Sequence, residues 1–267
     1  MFTDLDGTLL DHSTYSFAAA EPALRLLRDK NIPLVLCSSK TRSEIEAVRA
    51  ALGNADPFIV ENGGAVFLPA GRFPLESLPA RKVPGYDIVE FGTPYARLLE
   101  AFKKLDEMFP GKLKGFHNLT VSEVSGLTGL AAADAELARA RVYDEPFLLS
   151  DMSVLEPVRE AARRSGLSVV RGGRFFHLTG ENDKGRGARF LVLLYALTLG
   201  RPVDSVGLGD SANDLPLLEA VDIPVLIRKS DGGYDPSIRL PGLYLAPGEG
   251  PAGWNAALLE LVPRLAG

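Results

Sequence analysis

Met1-Phe2-Thr3-Asp4-Leu5-Asp6-Gly7-Thr8 carries a short apolar run into two aspartates and a turn. The same order recurs twice. Ile32-Pro33-Leu34-Val35-Leu36-Cys37 leads into Ser38-Ser39-Lys40-Thr41 and a helical pattern over 42–52. Val203 to Leu208 leads into Gly209-Asp210-Ser211 and a helical pattern over 213–220. Apolar run, small polar turn, then helix predicts an α/β chain, a Rossmann-like parallel sheet with helices on its faces. Ligands of such sheets sit beyond the carboxyl ends of the strands, and Asp4, Asp6, Ser38, Ser39 and Asp210 all fall there. The first strand is short. Two or three residues ahead of Asp4 barely fill a central strand, usually about 5–6 residues long.

Between about 79 and 180 the pattern changes. Arg97 to Phe109, Ala131 to Val142 and Val154 to Ser165 read as amphipathic helices. Short strand-like runs lie around them: Tyr86 to Phe91, Phe147 to Leu149, Leu167 to Arg171 and Phe175 to Thr179. Gly172-Gly173 between the last two is a hairpin signal. The expected organisation is a core of residues 1–78 and 181–267 holding an α+β insert over 79–180. The core resumes at Asn182-Asp183-Lys184-Gly185 with a helix over 186–199, ended by Gly200 and Pro202. The tail from 231 to 253 reads as loops with an edge strand, before a last helix over 254–265.

A chain of 267 residues has room for a core domain and a smaller inserted one. With 29 basic against 34 acidic side chains, it carries a net charge of −5 and no basic cluster that would track a nucleic-acid backbone. No apolar run approaches the ~20 residues of a membrane helix, and no secretory leader is visible ahead of Asp4. The expectation is therefore a cytoplasmic protein without nucleic-acid or membrane partners. The single cysteine, Cys37, cannot form an internal disulfide and reads as an inert thiol inside a strand.

Asp4 and Asp6 stand two apart at a strand end, so in an extended strand both carboxylates face one side. Two such carboxylates repel, and a divalent cation removes the conflict. Oxygen ligands beside a phosphate select Mg²⁺; Asp210 and Asp214 complete the acidic set. Ser38 and Ser39 precede a helix start, where free N–H groups bind anions, and Lys184 supplies a point charge suited to phosphate. A carboxylate can attack phosphorus, and a second can protonate the leaving oxygen and then activate water. Gly207-Leu208-Gly209-Asp210-Ser211-Ala212 loosely fits a dinucleotide fingerprint, but an aspartate in that turn would face the pyrophosphate.

Asp4-Leu5-Asp6-Gly7-Thr8-Leu9-Leu10-Asp11 resembles the first motif of the haloacid dehalogenase superfamily. Ser38 resembles its second-motif Ser/Thr, Lys184 its third-motif Lys, and Gly209-Asp210-Ser211-Ala212-Asn213-Asp214 its fourth motif, in the family's order. The resemblance implies Asp4 as nucleophile and Asp6 as general acid/base. It implies Mg²⁺ on Asp4, Asp6 through its backbone carbonyl, and Asp210, with Asp214 and Asn213 supporting. The insert then resembles the C2-type cap, which closes over substrate as a lid.

Cys37 to Glu46, Glu61-Asn62-Gly63-Gly64, Tyr143-Asp144-Glu145-Pro146-Phe147 and Gly172 to Leu178 are further similar to the mannosyl-3-phosphoglycerate phosphatase branch. That likeness implies hydrolysis of a phosphorylated sugar-acid, mannosyl-3-phosphoglycerate, to mannosylglycerate and phosphate, with a phosphatase of glucosyl-3-phosphoglycerate or a hexose phosphate, or a phosphomutase, as alternatives, and a non-catalytic sugar-phosphate binder as a third class. Lys40, Glu61, Asn62, Gly63, Gly64, Arg174 and Asn213 are the expected substrate contacts. A glycerate carboxylate favours arginine, hence Arg174; strand alternation sets His177 on the opposite face, as a core histidine.

Overall fold

The computed structural model describes residues 1–74 and 79–265. The chain runs β1 (Phe2–Thr3), α1 (Glu21–Asp29), β2 (Val35–Cys37), α2 (Arg42–Leu52), β3 (Phe58–Val60), β4 (Ala65–Pro69), β5 (Arg81–Val83) and β6 (Tyr86–Glu90). It continues through α3 (Tyr95–Met108), β7 (Leu113–Gly115), α4 (Val121–Thr128), α5 (Ala132–Arg139), β8 (Asp144–Leu149), α6 (Leu155–Arg164), β9 (Ser168–Arg171) and β10 (Phe176–Thr179). It ends with α7 (Lys184–Leu199), β11 (Val206–Gly209), α8 (Leu215–Leu218), β12 (Ile223–Arg228), β13 (Tyr244–Glu249) and α9 (Gly250–Leu265).

Two sheets organise these elements. The larger has nine strands in the order β13-β12-β11-β1-β2-β3-β4-β6-β5. From β13 to β3 every pairing is parallel; β4, β6 and β5 extend the edge antiparallel. The central strands β1, β2, β3 and β11 are buried along their length, and β2 and β3 carry apolar side chains on both faces, as a sheet covered by helices requires. One face packs on α1 and α9 residues such as Leu24, Trp254 and Leu258, and the other on Ala188, Leu191 and Leu194 of α7. The smaller sheet, β7-β8-β10-β9, is antiparallel and packs on α3 and α6 through Phe102, Phe147 and Val158.

The division expected at 78/79 shifts. Leu78 itself lies outside the described residues. Strands β5 and β6, assigned to the insert from sequence, hydrogen-bond into the larger sheet, and β6 pairs with β4 over five positions. Their apolar pattern does not say which sheet receives them. The second sheet and its helices occupy 95–179. The Gly172-Gly173 hairpin is present: Arg171 pairs with Phe176, and the Gly172 amide donates to the Phe175 carbonyl at 3.0 Å. Two helices passed over in the sequence, α1 and α4, are short; α4 begins with a reciprocal capping box between Thr120 and Glu123.

Two-residue β1 stays in the centre because both neighbours and one helix hold it. Its residues pair with β11 on one side and β2 on the other. The Thr3 hydroxyl accepts a hydrogen bond from Trp254 Nε1 at 3.0 Å and donates to the Asp4 carbonyl at 2.7 Å. Trp254, fully buried on α9, thus anchors the strand that delivers Asp4. Trp254→Phe removes the donor to a buried hydroxyl and part of the ring volume; we expect a loss of about 1–2 kcal/mol, against about 3–5 kcal/mol for Trp254→Ala, read from urea unfolding midpoints.

Candidate active site

The strand ends that the sequence singled out meet. Asp4 leaves β1 with its amide bonded to the Leu208 carbonyl of β11. Carboxylate oxygens of Asp4, Asp210 and Asp214 lie within 4.8 Å of one another. Lys184, at the first turn of α7 and fully buried, reaches into this group. Its Nζ donates to Asp4 Oδ1 and to Asp214 Oδ1, each at 2.6 Å. Asp214 Oδ2 accepts the amides of Asp210 and Ser211 at 3.0 and 3.1 Å. Asp214 therefore holds the Asp210 loop and the lysine together.

One ammonium between three crowded carboxylates leaves negative charge unanswered. Burial pushes Asp4 up to about 7, reinforced by the charge of Asp214 and opposed by Lys184. Burial, then Asp214 and Asp4, raise Asp210 well above the usual carboxylate range. Burial alone would depress Lys184; Asp214 and Asp4 more than reverse it, so the lysine is raised and stays cationic. Asp6 takes a different partner from Asp4. Its Oδ2 accepts from Lys40 Nζ at 2.9 Å, and its Oδ1 is buried without a hydrogen-bond partner. The Asp6 carboxylate stands outside the three-acid cluster, although sequence spacing set it beside Asp4 as a metal ligand; that part of the expectation is left to its backbone carbonyl. The donor set fits a hard divalent cation: the carboxylate oxygens of Asp4, Asp210 and Asp214 cluster around a single ammonium, and the titration ranges of Asp4 and Asp210 are both raised.

A cavity of about 140 Å³ opens over these groups. Asp4, Asp6, Ser39, Lys40, Asp210 and Asn213 line its core side. Ser38 does not. It is buried, its amide bonded to the Ile59 carbonyl and its hydroxyl to the Lys40 amide. The start of α2 is also less free than the sequence suggested. Thr41 and Glu44 form a capping box that takes both their amides. Lys184 touches Asp4 from beneath.

Arg174 and His177 both line the cavity from the insert. Strand alternation was expected to set them on opposite faces, but Arg174 precedes β10 and sits in the hairpin turn, where alternation does not apply. Its Nη1 donates to the carbonyls of Leu127 and Thr128, each at 3.0 Å. Sequence reasoning missed Tyr15, Glu44, Phe116 and Arg141, which also line it. Arg141, buried, donates to the Ser39 carbonyl at 2.8 Å and so ties the insert to the second strand end. One of two arginines, Arg139 and Arg141, in an alanine-rich stretch gave no signal.

Glu61, Asn62, Gly63 and Gly64, expected to touch substrate, do not line this cavity; they form a buried strap between core and insert. Glu61 accepts the amides of Val142 and Tyr143, and burial pushes its carboxyl up to about 7 against the pull of Arg141. Glu61 and Asn62 both adopt left-handed backbone, φ 46° and 54°, a strain of about 1–3 kcal/mol each that these bonds offset. Gly63, at φ 86°, leaves no room for a side chain: a Cβ would stand 2.0 Å from the Asp183 carbonyl oxygen. Asn62 Nδ2 donates to Asp144 at 2.7 Å, and its Oδ1 accepts from Asn213 at 3.1 Å.

Residues 1–89 match a family model described as haloacid dehalogenase-like hydrolase. The chain is 46% identical over 265 residues to a glucosyl-3-phosphoglycerate/mannosyl-3-phosphoglycerate phosphatase of Methanococcoides burtonii, covering 99% of this chain and 97% of the relative. It is 35% identical to a mannosyl-3-phosphoglycerate phosphatase of Pyrococcus horikoshii, over 83% of this chain and 87% of the relative. Among solved structures, a sucrose-phosphatase from Synechocystis in complex with sucrose and phosphate shares the fold, at TM-score 0.62 and 15% identity over 99% and 96% of the two chains.

The raised carboxyl of Asp4 has a measurable cost. A group whose folded value, about 7, lies above its unfolded value, 3.8, favours the folded state at low pH, and that stability is lost as pH rises from about 4 to 7. In metal-free protein at pH 8, Asp4→Asn is expected to be more stable than the parent by roughly 1–3 kcal/mol. The difference should vanish below pH 4 in thermal unfolding scans.

Proposed function

Because this chain belongs to the haloacid dehalogenase-like hydrolases, in the family of glucosyl-3-phosphoglycerate/mannosyl-3-phosphoglycerate phosphatases, we propose that it hydrolyses the phosphate ester of a glycosyl-3-phosphoglycerate through Asp4. The observation that carries the reading is the convergence of Asp4, Asp210, Asp214 and Lys184 beneath a cavity walled by core and insert.

In this reading an Asp4 carboxylate oxygen attacks phosphorus. A bond forms from Asp4 to phosphorus, the bond from phosphorus to the glyceryl oxygen breaks, and Asp6 gives that oxygen its proton. Water then loses a proton to Asp6 and its oxygen attacks the phosphoryl group. Asp4 is released as carboxylate and inorganic phosphate departs. Lys184 holds Asp4 in position and keeps a positive charge beside it. Lys40 Nζ bonds the Asp6 carboxylate, so for Asp6 to pass a proton to the leaving oxygen Lys40 turns from it to the incoming phosphate. Ser39, at the cavity wall, and Ser38 behind it shape the phosphate subsite.

Mg²⁺ is the cation the site suits. Asp4, Asp210 and the Asp6 backbone carbonyl would hold it, with Asp214 and Asn213 behind, and when bound it supplies positive charge to the phosphate and lowers the raised carboxyls. The described residues include no helix long and apolar enough to cross a membrane, and the proposed partner is the small sugar-acid ester alone.

The test is phosphate release, with and without Mg²⁺, from mannosyl- and glucosyl-3-phosphoglycerate, sucrose 6-phosphate and hexose phosphates. We expect Mg²⁺-dependent release from the first two, reduced by at least about 10⁴-fold in Asp4→Asn, in line with removal of an essential nucleophile. Release from hexose phosphates alone would remove the substrate assignment, and a requirement for a bisphosphate activator would point to a mutase.

A further inference from the structure

His177 stands on β10, buried, with one edge of its ring on the cavity. Its Nδ1 lies 2.9 and 3.0 Å from the two carboxylate oxygens of Asp144 on the neighbouring strand. Asp144 is fully buried and is itself fixed by Asn62 Nδ2 at 2.7 Å. A carboxylate on Nδ1 fixes the ring and its tautomer, and leaves Nε2 as the atom free to meet a ligand. Space for that atom is provided by Gly172 across the hairpin, where a Cβ would stand 2.7 Å from Nε2.

We propose that His177 is a specificity-determining residue: its Nε2, left as an acceptor once Nδ1–H is given to Asp144, accepts a hydrogen bond from a hydroxyl of the non-phosphate part of the substrate. Asp144 and Asn62 are positioning residues for it. The proposal rests on the substrate reading above and adds the group that distinguishes a sugar-acid ester from a bare phosphate. The same chain of bonds continues from Asn62 to Asn213 in the Asp210 loop, so the ring that grips the substrate tail is tied to the loop beside the reacting phosphate. Apolar pocket wall alone gives little discrimination between hydroxylated isosteres; a site built to hydrogen-bond one oxygen rejects an ester lacking it far more strongly.

The His177→Asn variant separates the roles, because an asparagine amide can satisfy Asp144 at the place of Nδ1 while the atom at the place of Nε2 is deleted. Wild type is first assayed on the glycosyl-3-phosphoglycerates, sugar phosphates and acetyl phosphate. If the glycosyl-3-phosphoglycerates are not hydrolysed, the substrate reading fails, and the sugar ester that wild type prefers takes their place. For His177→Asn we expect the ratio of kcat/KM on the preferred sugar ester to that on acetyl phosphate to fall at least tenfold, mainly through KM, with the unfolding temperature close to that of wild type. Gly172→Ala, which drives the ring off the same point without altering it, should lower the ratio in the same direction. An unchanged ratio in either folded variant, or an equal fall on both esters, would overturn the assignment and leave His177 a core ring.

Discussion

Lys184 between Asp4 and Asp214 is the contact on which the rest of the site depends. It joins residues 180 and 30 positions apart in the chain, all buried. A buried ammonium without those partners would be expensive, and the carboxylates without it would repel. The same contact fixes relative positions: Asp4 at the end of β1, the Asp210 loop through the second oxygen of Asp214, and the start of α7. Its charge is insufficient for three carboxylates, and this shortfall makes a divalent cation the natural complement. Stability is given up locally at a cluster whose repulsion a divalent cation would relieve.

A second constraint is the strap of residues 61–64. It carries two strained residues and two glycines pressed against backbone or side chains, and it touches the insert at 142–144 and the core at Asp183 and Asn213. Close packing of this kind transmits position rather than flexing freely. Arg141, reaching from the insert to the Ser39 carbonyl, adds a further tie. Core and insert are thereby placed so that Arg174 and His177 look down on Asp4 and Asp6.

What the sequence made legible follows from local chemistry. The repeated strand–turn–helix order located the parallel strands, whose terminal polar residues have one side of the sheet to face; Asp4, Asp210, Asp214 and Lys184 meet there, whereas the Asp6 carboxylate turns to Lys40 and Ser38 is buried behind the cavity. Cys37 is buried, and burial raises its thiol, in keeping with an inert strand residue. The sequence was less informative where tertiary choices decide. Tyr86 to Glu90 is an apolar strand that either sheet would accept. Arg174 was placed by strand periodicity although it lies in a turn. Glu61 to Gly64 looked like a ligand-facing turn, yet the turn's polar groups are consumed by the insert's backbone and by Asp144. Asp144 was quoted within a motif, but nothing local marks it as the anchor of a histidine 33 residues away.

The central claim is that the oxygen attacking phosphorus belongs to Asp4. Its most direct test is to quench the Mg²⁺-activated protein during turnover of its preferred ester in acid, digest it, and weigh the peptides. The account predicts one phosphoryl group on the peptide containing Asp4, lost on treatment with hydroxylamine. Sustained turnover with that peptide unmodified at every quench time, and an Asp4→Asn variant still releasing phosphate, would contradict it and assign the attack to water.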